Sequence, residues 1–300
     1  MNTITQQKLH EILASKKLDY TVDTVNITDP FTNEPSKFFG TYRTDTKEIF
    51  TMSLSKQFAP IQNIDAFKFL TELSNTTNID IAQGGVFNGG ASVYLQLALG
   101  KSDIGGGDMV GNYLTVVNSH DGSRAMTIML TPYRFFCKNQ IAPAFRNASK
   151  QEDDGKQVRI LMRHTAGASI AMEQMTKTIA IANDQFEFSV NQYKKLANTK
   201  VTSDTVSKVV AKMFPMPESI DAKRANTIWH TNVENVKSRF YSADNGQIEQ
   251  WTAWNLYNAI QGTLQHDARK STKLEQSILM GKIAEKSSHA LSLVSEMVGA

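Results

Sequence analysis

The chain has 300 residues, 41% of them hydrophobic and 20% charged, with a formal net charge of +3. That balance excludes a disordered chain, which carries fewer apolar residues and more net charge, and no apolar run reaches the roughly 20 residues that cross a bilayer. The N-terminal MNTITQQKLHEILASKKLDY has no hydrophobic signal core, and Cys137 is the single cysteine, so the expectation is a cytosolic protein without an internal disulfide.

In chain order, the N-terminus reads as a short polar helix. Residues 20–27 and 37–53 have strand composition, and Thr44-Asp45-Thr46-Lys47 turns the second stretch into a hairpin. Gln57 to Asn63, with Pro60, reads as a loop, and Phe67, Leu70 and Leu73 give residues 64–74 helical spacing. Over 91–99, Val93, Leu95, Leu97 and Leu99 alternate with Ser92, Tyr94 and Gln96, the pattern of a half-buried strand. Gly105-Gly106-Gly107 breaks the chain. Residues 113–119 and 124–130 predict two strands joined by a tight turn, His120-Asp121-Gly122-Ser123, with Gly122 supplying positive φ. Pro132 ends or bends the second strand, 133–139 is extended, and a short helix is expected over 140–148. In the strand predicted over 157–164, Val158, Ile160 and Met162 share one face, and Arg159 and Arg163 lie on the other.

From about residue 167 the period becomes helical: Ala168, Met172, Met175, Ile179, Ala182 and Phe186 recur at three and four residues. A helix over 203–214 starts at a Ser or Asp cap and stops before Pro215. Further helices are expected over 218–240, 247–266 and 272–298. The predicted fold is α+β: an antiparallel β-sheet core with a β-β-β-α arrangement and a helical C-terminal half. A mixed core domain over 1–200 and a helical region over 201–300 packed on it are expected.

No catalytic or ligand motif is complete, so neither a cofactor nor enzymatic activity is expected. Gly100-Lys101-Ser102 resembles the end of a phosphate-binding loop, but Leu95 stands where the motif needs glycine. Gly84-Gly85 and Gly89-Gly90 precede a strand and suit a hairpin or bulge. Ser119-His120-Asp121 holds the residue types of a hydrolase triad, yet consecutive side chains diverge. The six histidines lack metal-ligand spacing. A cryptic metal-dependent nuclease would need Asp103, Asp108, Asp121 and His120 to converge.

Residues 124–164 hold 8 Lys/Arg against 3 Asp/Glu, the most basic part of the chain. There Arg124, Arg134, Lys138, Arg146, Arg159 and Arg163 are interleaved with aromatic residues, Tyr133, Phe135 and Phe136 among them. Cations hold phosphates and rings stack on unpaired bases. Arg124, Arg134, Lys138, Arg159 and Arg163 are therefore candidate phosphate contacts, and Tyr133 or Phe135 candidate stacking residues.

Several stretches together resemble the phage/plasmid-like family named domain of unknown function 932. They are Tyr42-Arg43-Thr44-Asp45, Phe58 to Asn63, Asn118 to Ser123, Thr131-Pro132-Tyr133-Arg134, Cys137-Lys138-Asn139, Arg163-His164-Thr165, and Thr252 to Ala259 leading to His266. The resemblance implies a gene of mobile elements expressed inside a bacterium. The order of helix, three strands and long helix is also similar, at fold level, to single-strand annealing recombinases of the Rad and Red type, which assemble into rings or filaments. The expected function is single-stranded DNA binding or annealing in recombination or replication, by a non-enzymatic homo-oligomer away from membranes. The alternative is a protein-binding inhibitor of a host defence system, with Trp229, Trp251 and Trp254 anchoring the interface to a host protein.

Overall fold

The computed structural model describes residues 3–68, 70, 81–135, 139–140, 159–164, 172–218, 223–242, 251–267, 271 and 273–299. The fold is α+β, with two antiparallel sheets and helices concentrated in the C-terminal half. Helix α1 (Thr3–Ser15) is followed by β1 (Val22–Thr28), β2 (Pro35–Arg43) and β3 (Ile49–Ser55), which pair in that order. After the helical residues 63–68 (α2) come β4 (Ile81–Phe87), β5 (Ser92–Asp103), β6 (Met109–Ser119), β7 (Met126–Arg134) and β8 (Asn139–Gln140), again paired in sequence. Strand β9 (Arg159–Met162) also pairs with β7, with Arg159 opposite Met129 and Met162 opposite Met126. The helices are α3 (Met172–Asn198), α4 (Ser203–Met213), α5 (Lys223–Tyr241), α6 (Ala253–Gln265), α7 (Leu274–Met280) and α8 (Lys282–Val298). Among the described residues no helix is long and apolar enough to cross a membrane.

The chain forms two compact units, each assembled from separated segments: Met1–Leu99, Tyr113–Leu130 and Val158–Ala182, and then Gly100–Asn112, Thr131–Gln157 and Asn183–Ala300. Strands β5, β6 and β7 and helix α3 contribute residues to both.

In the first unit, Leu9 and Leu13 of α1 are buried one helical turn apart. The helix ends with Lys17 at φ 59, where the amides of Lys17 and Leu18 reach back to Ala14 O and Leu13 O. That pair of bonds satisfies carbonyls the helix end would orphan. In β5, Val93, Leu95 and Leu97 are buried as the alternation predicts, but Ser92 and Gln96 are buried too. The polar side of that strand is therefore covered: Gln96 bonds Gln83 and donates to Thr115 Oγ1 at 2.7 Å, whereas Ser92 Oγ has no partner among the described residues. Gly84 sits in β4 because a Cβ there would lie 2.6 Å from Leu95 Cδ1 and 2.9 Å from Tyr94 O.

In the second unit, α6 is buried along its whole length. Helices α5 and α8 and strand β8 pack against it. Gln261 Oε1 accepts from Gln265 Nε2 at 2.9 Å and from Ser287 Oγ at 2.7 Å, while Gln261 Nε2 is buried without a partner among the described residues. Gln265 Oε1 accepts from Gln140 N at 3.1 Å, and its Nε2 donates to Gln140 O at 2.6 Å, so one side chain takes the place of a strand neighbour beside β8. The stretch 272–298, expected as one helix, is two, because Gly281 is extended at φ −113 and ψ −153. A Cβ on Gly281 would lie 2.9 Å from Ser277 Cα, so glycine permits the break.

Candidate functional site

The most concentrated polar centre of the first unit is built around the β6–β7 turn. Gly122 adopts φ 71, as the turn requires, and a Cβ there would lie 2.5 Å from Leu54 Cδ2. Asn118 and Ser119 close strand β6, within the strand expected over 113–119, and with His120, the first residue of the expected turn, they are fully buried. They are covered by β2 and by the loop Phe58 to Asn63. Thr41 Oγ1 donates to His120 O at 2.7 Å, and Asn118 Nδ2 donates to Ile61 O at 2.8 Å. Gln62 takes both backbone groups of Val22, at 3.0 and 2.8 Å. Ala59 N donates to His164 O at 2.9 Å, and the Phe58 and His164 rings stack 4.9 Å apart.

The geometry fixes the protonation of His120. Asn63 Nδ2 donates to Leu18 O at 3.0 Å, so Asn63 presents its oxygen to His120 Nε2 at 2.8 Å. Nε2 therefore carries the proton, and Nδ1 is a bare lone pair, buried and without a partner among the described residues. Burial, reinforced by the neighbouring His164, pushes the His120 pKa down to about 4. Burial also lowers that of His164, whose two ring nitrogens likewise lack partners. Burial raises the Asp121 carboxyl, but bonds from Ser119 Oγ at 2.6 Å and Ser123 N at 3.0 Å outweigh it and hold the group below its ordinary value. Ser119 thus donates to Asp121, and His120 to Asn63. The chain from nucleophile through base to orienting acid that a hydrolase needs is not assembled.

Arg124 and Arg163 border this centre. The paired register of β7 and β9 ends with Met126 opposite Met162, and Arg124 and Arg163 lie just beyond it in sequence. Arg163 is exposed, and Arg124 is half-buried with its Nε unpartnered. No acid pairs with either among the described residues. Arg159 lies on β9 opposite Met129, in the same unit.

The other sequence-predicted residues belong to the second unit. Arg134 corrects the expectation of a phosphate contact: it is 1% exposed, and its Nε and Nη2 bond Asp108 at 2.6–2.9 Å. Trp254 Nε1 donates to the same carboxylate at 2.8 Å, and the Arg134 guanidinium lies 5.6 Å from the Trp254 ring centroid. A desolvated, paired cation has no face for a ligand phosphate. Tyr133 is half-buried and Phe135 exposed, their rings edge to face at 5.9 Å. Lys138 lies outside the described residues, as do residues 141–148 of the helix expected over 140–148, whose first residue, Gln140, is in β8. Of the tryptophans, Trp254 is core, Trp229 is half-buried and bonds Phe214 O at 3.0 Å, and Trp251 is 43% exposed.

Among the described residues no three His, Cys, Asp or Glu gather in a way that would hold a metal ion. Asp108, one of the acids considered for that role, is occupied by Arg134 and Trp254. Sequence reasoning missed Asn63 and His164 as partners of the centre. Their only sequence signal is a place in the stretches that carry the family resemblance.

Comparison with known families adds one match: the model described as "Domain of unknown function (DUF932)" covers residues 52–286. No curated protein matches the chain, and no solved structure does. The likeness to annealing recombinases gains no support from these comparisons.

Proposed function

We propose that this chain, which belongs to the DUF932 family, is a non-enzymatic protein that binds single-stranded DNA through its phosphates. Its setting would be recombination or replication of a mobile element in the bacterial cytosol, as a homo-oligomer. The observation that carries this reading is that Arg124 and Arg163 are cations without acidic partners among the described residues, Arg163 exposed and Arg124 half-buried, each just past the end of the β7–β9 pairing. An unpaired arginine keeps its fork of donors for phosphate oxygens. Arg159 and Lys138 remain candidate contacts, and Phe135 and Tyr133 candidate stacking residues. Arg134 is withdrawn from the set because Asp108 neutralises it. Fluorescence anisotropy of a labelled oligothymidine tests the reading. Binding at 50 mM salt that weakens steeply by 200 mM supports phosphate recognition, and absence of binding at low salt overturns it.

A protein-binding inhibitor of host defence is the second reading. It is favoured by the exposed apolar side chains Phe38, Ile49 and Met52 on β2 and β3. Capture of one host protein that is insensitive to nuclease and lost in Met52→Asp would favour it over the first.

A further inference from the structure

Trp251 has an unusual backbone. Its φ is 70, in the left-handed region that bulky side chains rarely adopt. The conformation is pinned from both sides: Val201 N donates to Trp251 O at 2.8 Å, Ala253 N donates to Thr199 O at 2.8 Å, and Lys200 bridges Thr252. Glycine or asparagine would fit this backbone with less strain, yet the position holds the largest ring in the repertoire. The ring is 43% exposed, and Tyr241 beside it is 44% exposed. Their centroids are 5.2 Å apart and their planes 68° from each other. Phe240, 1% exposed, backs both, at 6.2 Å from Trp251 and 5.0 Å from Tyr241. The indole N–H has no acceptor in the protein among the described residues, so the ring offers a flat face and a free donor.

We propose that Trp251 and Tyr241 form a preorganised aromatic platform for an unpaired nucleobase. Backbone strain held by surrounding structure is characteristic of ligand-contacting positions. A rigid, half-exposed pair of rings loses little freedom on stacking. The inference rests on the single-stranded DNA reading and adds a base-contacting element that phosphate recognition does not need.

The test compares a labelled 20-nucleotide oligothymidine with an abasic strand of equal length, using the full chain. Wild-type protein should prefer the strand with bases by at least about fivefold, the lower range of stacking on one aromatic residue. Trp251→Ala and Tyr241→Ala should each lower that preference several-fold without changing affinity for the abasic strand, and Trp251→Phe should restore most of it. Retained abasic binding shows that a variant is folded, and Tyr241→Ala serves if Trp251→Ala does not fold. Equal wild-type binding of both strands, or a preference undiminished in both alanine variants, overturns the platform and leaves phosphate recognition standing. Wild-type binding of neither strand overturns both.

Discussion

Removing the Asp108 carboxylate should be among the most damaging single changes in the second unit. The side chains of Asp108 and Arg134 are 1% and 2% exposed, and the carboxylate accepts from Arg134 and from the Trp254 indole. Asp108→Ala takes from a buried guanidinium its carboxylate partner, which costs about 3–5 kcal/mol, and it removes the acceptor of the Trp254 indole N–H, which adds about 1 kcal/mol. With a urea dependence of about 2–3 kcal/mol per molar, the midpoint of that unit's transition should fall by roughly 1.3–3 M. Followed by Trp254 fluorescence, the double variant Asp108→Leu/Arg134→Met should regain most of the loss, since replacing a buried pair by apolar groups is often near neutral. It should also keep the wild-type affinity for oligothymidine, because Arg134 makes no ligand contact. A single variant within about 1 kcal/mol of wild type, or a double variant that folds but loses DNA binding, would refute the argument.

Three further outcomes follow from the same geometry. The His120 pKa is depressed in the fold from 6.5 to about 4, so its contribution is complete above pH 6.5 and lost as pH falls toward 4. That window is worth up to about 3 kcal/mol at 1.36 kcal/mol per unit. Urea titrations at pH 7 and pH 4.5 should show the loss, and His120→Gln should flatten it. Gly122→Ala combines a φ of 71 with a Cβ only 2.5 Å from Leu54 Cδ2, and should destabilise the first unit by about 1–3 kcal/mol in chemical denaturation. Thr252 Oγ1 accepts from Asn255 N at 3.2 Å at the start of α6, and Thr252→Ala should cost about 1 kcal/mol by the same assay.

Local chemistry was legible in the sequence wherever one element decided the outcome. The alternation of Val93, Leu95 and Leu97, the Thr44–Lys47 hairpin turn, the positive φ at Gly122 and the stop before Pro215 each depend on neighbours in sequence. The cap of α4 proved to be Thr202, one residue earlier than expected, because its hydroxyl reaches Thr205 N at 3.2 Å. Strand β4 was hidden by Gly84 and Gly85, residues that ordinarily weaken a strand and here are needed for close approach to β5. Burial of His120 depends on Asn63 and Thr41, which lie 57 and 79 residues away. The pairing of Arg134 depends on Asp108, an acid that looked like loop residue facing water. Charge content alone gives no sign of which arginine has met its carboxylate, as Arg134 has met Asp108.

The salt dependence of oligothymidine binding by wild type and by Arg124→Ala/Arg163→Ala is the decisive comparison. If both guanidinium groups neutralise phosphates, the slope of log K against log salt should lose about 1.4 in the double variant, at roughly 0.7 per single-strand contact. An unchanged slope with unchanged affinity would contradict the proposal that these two arginines hold DNA.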